Sequence, residues 1–198
     1  MPTEWETPRI RDIGQVLSGR QRSPHFTKGD LRPYLRVANI FEGYIDASDV
    51  LEMKFTEAEY NRYRLQLSDI LLNEGQSLEL VGRCALYRGL PEDCCFQNTL
   101  IRFRSSGSIL PDFALILLTY FWKTGAFARI ASQTTSIAHL GVSRFGSLRI
   151  PLPPLQEQKK IAEIISTWDS AIELVRKLID AKQRLMKTLM HQLLSGRK

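Results

Sequence analysis

Two short stretches hold the side chains best suited to grip another molecule. Arg20, Arg22, His25 and Lys28 fall in a turn-rich segment with Ser23 and Pro24. Gln133, Thr134, Thr135 and Ser136 form a run of four hydrogen-bonding side chains, with Arg129 and Arg144 on either side. Hydroxyl and amide groups bind phosphates and base edges, and arginine pairs bidentately with guanine. Arg20, Arg22, Lys28, Arg129, Gln133, Thr134, Thr135, Ser136 and Arg144 are therefore the candidate DNA contacts. The first segment is expected to be flexible enough to reach a groove. For each cation taken singly, a solvated surface is the plain alternative. Gln97 and Asn98 follow a strand candidate and suit a turn cap as well as a contact.

Catalytic signatures are poor. Gly14 and Gly19 have the outer spacing of a phosphate loop, but Arg20 stands where such a loop needs Lys and Gln21 where it needs Ser or Thr, so the segment reads as a turn. Asp49, Glu52 and Lys54 supply the residue types of a metal-dependent nuclease in a short, common pattern. No glycine-rich loop opens a helix as in a dinucleotide or methyl-donor site. No Asn-Pro-Pro-aromatic motif occurs, and no spacing of Ser, His and acid marks a triad. His25, His139 and His191 lie too far apart for a local metal motif. The expectation is a binder with no catalytic and no metal-ligating residues.

The chain has 198 residues, room for one ordinary domain and an accessory element or for two small domains. Apolar residues make up 43 %, enough for a real core, and 24 % are charged. The formal net charge of +6 suits an anionic partner or simple solubility. Charge runs in blocks: seven basic residues against two acids over 9–36, nine acids against three bases over 37–81, and eight bases against three acids over 82–149. Such blocks could fold into one basic and one acidic face. The start shows no apolar signal core, and the longest apolar run, residues 114–122, is far short of a bilayer span of about 20 residues. Cys84, Cys94 and Cys95 form no CxxC pair and suit a reducing compartment, so a cytoplasmic, membrane-free protein is expected.

The elements that must position these side chains read as mixed α and β over the first 150 residues. Residues 9–17 suit a strand or short helix ending at Ser18 and Gly19, and residues 35–40 alternate as a half-buried strand does. Thr56 caps a helix over 56–63 with Glu57 and Glu59 in its first turn. Residues 69–72, 84–87 and 99–104 are strand candidates, and Pro111 opens one long helix over 111–128. Pro151, Pro153 and Pro154 then mark a boundary.

Beyond that boundary, residues 155–194 hold neither Pro nor Gly. Ile165, Ile172, Ile179, Met186 and Leu193 recur every seven residues, and so do Ile161, Trp168, Val175, Lys182 and Leu189. The steps alternate four and three, the a/d pattern of a coiled coil, with Lys182 the one polar member. Such a helix extends about 60 Å at ~1.5 Å per residue, longer than a domain of this size is wide, which suits an intermolecular or interdomain coiled coil. A bundle helix packed along its own domain is the plain alternative, though usually shorter. A dimer interface is expected through Ile161, Ile165, Trp168, Ile172, Val175, Ile179, Met186, Leu189 and Leu193. The predicted fold is a mixed α/β (α+β) domain over 1–152 and a long C-terminal coiled-coil helix over 153–198.

The polar run at 133–136, then Leu140, then residues 148–158 (Leu-Arg-Ile-Pro-Leu-Pro-Pro-Leu-Gln-Glu-Gln), then a heptad helix, resembles the specificity subunits of type I restriction–modification systems. In that family an "IPLPPLxEQ" segment joins a target recognition domain to a long helix, and residues 150–158 match it without a gap. Trp5, residues 13–19, residues 35–40 and residues 69–75 also look like the family. Full family members carry two recognition domains and two helices, so this chain resembles a half-subunit that pairs with itself. The resemblance implies antiparallel helices with one domain at each end, each reading half of a split double-stranded DNA site. It also implies adenine methyltransferase subunits and, for restriction, a motor–nuclease subunit as partners. S-adenosylmethionine, ATP and Mg²⁺ would belong to those subunits, with no cofactor bound by this chain. The rival expectation is a stand-alone dimeric DNA-binding regulator or decoy.

Overall fold

The computed structural model describes residues 5–133 and 136–196. The chain divides into two units, Met1–Gln158 and Lys159–Lys198. The first unit therefore includes the opening turn of the long helix, six residues past the boundary expected at 152.

Ile10–Asp12 make one 3-10 turn before strand β1 (Gly14–Ser18), resolving the strand-or-helix choice over 9–17 into both. Strand β2 (Asp30–Leu35) then pairs antiparallel with β3 (Leu51–Phe55). Sequence alone passed over β2 because Pro33 lies inside it, and proline has no donor for a ladder. The structure accommodates it because the second neighbour of β2 bonds only beside Tyr34 and Leu35. The alternating run at 35–40 is not a strand: it is the end of β2 followed by a 3-10 turn at Val37–Asn39. Asn39 forces that turn, since its buried amide accepts from the Arg36 N–H at 3.1 Å and donates to the Asp46 and Asp49 carbonyls at 3.0 and 2.9 Å.

Helix α1 (Glu57–Tyr63) starts where expected, with a capping box between Thr56 and Glu59. Strands β4 (Ile70–Asn73), β5 (Gly75–Gln76), β6 (Cys84–Leu86), β7 (Cys95–Phe96) and β8 (Leu100–Ser105) follow. All four residues of β4 are buried, which is why Ile70, Leu71 and Leu72 form an unbroken apolar run and do not alternate. The order β1-β8-β4-β6 forms an antiparallel sheet, and β3-β2-β7 forms a second sheet whose β2–β7 pairing is parallel.

The expected helix over 111–128 is two helices, α2 (Pro111–Lys123) and α3 (Ala126–Ile130). Gly125 separates them at φ 72°, a left-handed conformation that glycine adopts without strain. Strands β9 (Ser132–Gln133) and β10 (Ala138–His139) make a small antiparallel sheet with β5, and helix α4 (Val142–Ser147) leads to the proline segment.

Leu35, Ile40, Leu71, Ala85, Phe96 and Leu100 form the centre of the core between the sheets, and Tyr34, Phe55 and Cys95 pack under β2 and β3. A chain of edge-on rings, Phe103, Phe145, Phe127 and Phe121, at 5.9–6.5 Å between centroids, ties α2, α3 and α4 to β8.

The proline segment closes the domain. Ile150 N–H donates to the Pro8 carbonyl at 3.0 Å and Leu152 N–H to that of Glu6 at 2.8 Å, so the segment pairs antiparallel with the domain's entry strand. Pro151 and Pro153 occupy the alternate positions, where the ladder asks for no donor. Gln158, fully buried, accepts from the Leu110 N–H at 2.8 Å and donates to the Ser108 and Pro153 carbonyls at 3.1 and 2.8 Å. The Trp5 indole donates to Glu157 at 3.1 Å.

Helix α5 runs unbroken over Leu155–Ser195. Along it Trp168, Ile172, Val175, Ile179, Met186, Leu189 and Leu193 are exposed large hydrophobics, so the heptad stripe is uncovered in the single chain. Among the described residues no helix is long and apolar enough to cross a membrane.

Candidate nucleic-acid interface

The candidate residues fall into two groups, and the first is built on Arg20. That residue is only 5 % exposed. Its Nε and Nη2 donate to the two Glu59 carboxylate oxygens at 2.8 and 3.0 Å, in the bidentate geometry that arginine and carboxylate favour. Its guanidinium also lies 4.2 Å from the Phe26 ring and 5.0 Å from the Phe55 ring. Arg20 is thus the anchor of the following loop rather than a free reader. Glu59, in turn, is held below the usual carboxylate range, chiefly by the Arg20 hydrogen bond and against the cost of burial.

The loop over 21–29 is fastened at further points. Phe26 covers Arg20, and Lys54 Nζ donates to the Thr27 carbonyl at 3.0 Å. At Gly29, φ 95°, a Cβ would stand 2.0 Å from the Phe55 carbonyl oxygen, so only glycine closes the loop onto β3. The expectation of a flexible segment is corrected accordingly: the loop is held, with Arg22 and Lys28 exposed on it. Arg22, Phe26, Glu52, Lys54 and Gln97 border one concavity of about 700 Å³. Lys54 was missed as a loop support although Leu51, Glu52, Met53, Lys54 and Phe55 alternate apolar and polar as a half-buried strand does, because its partner Thr27 lies 27 residues away. Gln97 belongs to the turn between β7 and β8, where its carbonyl accepts from the Leu100 N–H at 2.9 Å.

Asp49, Glu52 and Lys54 are not gathered into a metal site. Asp49 accepts from Arg36 at 2.6 Å, and Glu52 and Lys54 stand exposed on β3. Among the described residues no group of three or more His, Cys, Asp or Glu side chains could hold a metal ion. Cys84, Cys94 and Cys95 are buried free thiols, and burial pushes both Cys84 and Cys95 up to about 12.

The second group surrounds the β9–β10 hairpin. Gln133 and Ser136 are exposed there, and Thr134 and Thr135 lie outside the described residues. Arg144 works as a strut beneath the hairpin: Nη2 donates to Ser132 Oγ at 2.8 Å and to the His139 carbonyl at 2.7 Å, and Nε to the Leu140 carbonyl at 3.0 Å. From the other side His139 Nδ1 meets Glu74 at 3.1 Å. Arg129 is exposed, with Nη1 donating to the Thr124 carbonyl at 2.9 Å. Of the arginines expected to touch DNA, Arg20 is buried, whereas Arg144 is exposed while its guanidinium braces the hairpin backbone.

A held basic loop, a strutted polar hairpin and a closing proline clasp define a recognition domain joined to a long helix. The family profile described as type I restriction modification DNA specificity domain matches residues 2–182. A type I restriction enzyme MjaX specificity subunit of Methanocaldococcus jannaschii, itself described as putative, is 29 % identical over 98 % of this chain and 46 % of its own length. The EcoKI specificity subunit of Escherichia coli is 25 % identical over 85 % of this chain and 36 % of its own. A solved structure from a study of type I R-M complex assembly and conformational transition superposes with a TM-score of 0.71 at 17 % identity, over 98 % of this chain and 46 % of that one. The S subunit from M. genitalium gives 0.60 at 19 % identity, over 98 % and 46 %. The chain belongs to the type I restriction–modification DNA specificity family, a family of recognition subunits and not of catalysts. It spans about half the length of the curated relatives it matches.

Proposed function

We propose that this chain reads DNA sequence for a type I restriction–modification complex as a homodimer joined through α5. The observation that carries the dimer is the heptad stripe, in which nine apolar a/d side chains repeat over the length of the helix and seven of them are exposed. A second copy supplies a stripe of the same chemistry, and two copies carry the two domains and two helices of a full-length relative. With the helices antiparallel, each domain reads one half-site through Arg22, Lys28, Arg129, Gln133, Thr134, Thr135 and Ser136, and the helix pair sets the gap. Adenine methyltransferase subunits, and for restriction a motor–nuclease subunit, bring S-adenosylmethionine, ATP and Mg²⁺ to this cytoplasmic assembly.

Two-fold symmetry of the protein demands two-fold symmetry of its site. Mapping methylated adenines in cells that co-express the chain with its methyltransferase should return a gapped palindrome. A contiguous or asymmetric motif would sink the homodimer. A regulator or decoy would instead bind DNA tightly without any methyltransferase, which co-purification distinguishes.

A further inference from the structure

A second concavity, of about 750 Å³, lies along β1 and is lined by four arginines, Arg11, Arg62, Arg102 and Arg104, with no acidic residue in its lining. Arg102 and Arg104 are two apart on β8 and so share one face of the strand. Arg104 grips Asp69 bidentately at 2.7 Å through Nε and Nη2, and that buried carboxylate is thereby committed. Arg102 is 3 % exposed, donates one long bond of 3.4 Å to the Arg64 carbonyl, and its buried Nε has no hydrogen-bond partner among the described residues. One buried carboxylate thus serves two neighbouring guanidiniums. Burying a cation short of its counter-charge is costly, and the cost lowers the Arg102 pKa. Arg11 and Arg62 add two exposed cations at the rim; Arg11 has an acidic neighbour in Asp12, at 3.9 Å.

The missing component is an anion. We propose that this groove binds backbone phosphates of the DNA, separately from the loop and hairpin that face the bases. The inference rests on the DNA-reading role proposed above. Guanidinium suits phosphate because its planar fork donates two parallel hydrogen bonds. An acidic peptide adding as a strand is disfavoured, because β1, although the last strand of its sheet, has α4 beside it. A Cβ on Gly146 of that helix would lie 3.5 Å from Arg11 Cβ and 3.9 Å from Val16 Cγ2.

The test uses the exposed rim, since Arg102 substitutions risk the fold. The full chain, alone and assembled with its methyltransferase, is titrated against a short fluorescent duplex of scrambled sequence over a series of KCl concentrations. Arg11→Gln and Arg62→Gln should each reduce the slope of log Kd against log salt by about 1, and both together by about 2, while Arg62→Lys keeps most of the slope. A wild-type slope in the double variant overturns the groove and leaves the DNA-reading role standing. Absence of duplex binding by wild type, alone and assembled, overturns both. Polyglutamate binding that depends on Arg11 and Arg62, with an unchanged duplex slope, overturns phosphate in favour of carboxylate.

Discussion

Glu59→Gln isolates the charge that holds the recognition loop. Glu59 Oε1 accepts from Arg20 Nε at 2.8 Å, and Oε2 accepts from Arg20 Nη2 at 3.0 Å and from the Thr56 N–H at 2.9 Å. Glutamine keeps the shape and one acceptor but leaves the Arg20 charge between two phenylalanine rings with no countercharge. Breaking a buried pair costs about 3–5 kcal/mol. The Glu59 side chain is 31 % exposed, so water restores part of this and about 2–3 kcal/mol remains. With a slope of about 2 kcal/mol per molar, the urea midpoint should fall by roughly 1 M. The pH dependence gives an internal check. Glu59 titrates below the usual carboxylate range in the fold, so its contribution is whole above the unfolded pKa of about 4.3 and is lost as pH falls through the lower folded value. The gap between wild type and variant should therefore be full at neutral pH and close in acid, where a protonated Glu59 resembles glutamine. A gap below about 0.5 kcal/mol at neutral pH, or one that persists unchanged in acid, would refute the reasoning.

Two further substitutions probe the clasp and the helix. Gln158→Ala strips three hydrogen bonds from a fully buried site and should cost about 2–4 kcal/mol, read as a fall of roughly 5–10 °C in the melting temperature of the globular unit; a change under about 2 °C would contradict the clasp. Ile172→Asp with Ile179→Asp puts two charges into the seam at several kcal/mol each, and sedimentation should find monomers with unchanged far-UV circular dichroism of the globular unit. A surviving dimer would exclude the heptad interface.

The parts of the fold that were legible are those with local causes. The capping box of α1 sits within four consecutive residues, and the strands β4, β6 and β8 each carry their own apolar pattern. The misread parts had two local causes in competition. Residues 35–40 alternate, yet Asn39 bonds to the backbone of a neighbouring turn and bends the chain. Residues 111–128 are helical in type throughout, yet Gly125 favours the left-handed conformation that ends α2. Pro33 hid β2 because its tolerance depends on how far β7 extends beside it, which no local pattern records.

By itself the sequence determined the long helix, its apolar stripe and the proline junction, because each follows from spacing along a single stretch of backbone. The tertiary structure alone decided the fates of the arginines. Arg20 and Arg22 are two residues apart in one basic segment, but one is buried against a carboxylate 39 residues away and the other is left exposed at the edge of a concavity. Arg104 finds Asp69 across 35 residues, while Arg102 beside it keeps a donor unpaired among the described residues. Periodicity is a property of neighbours in the chain. Whether a cation meets a carboxylate, an aromatic ring or an open groove depends on which distant strand is packed beside it.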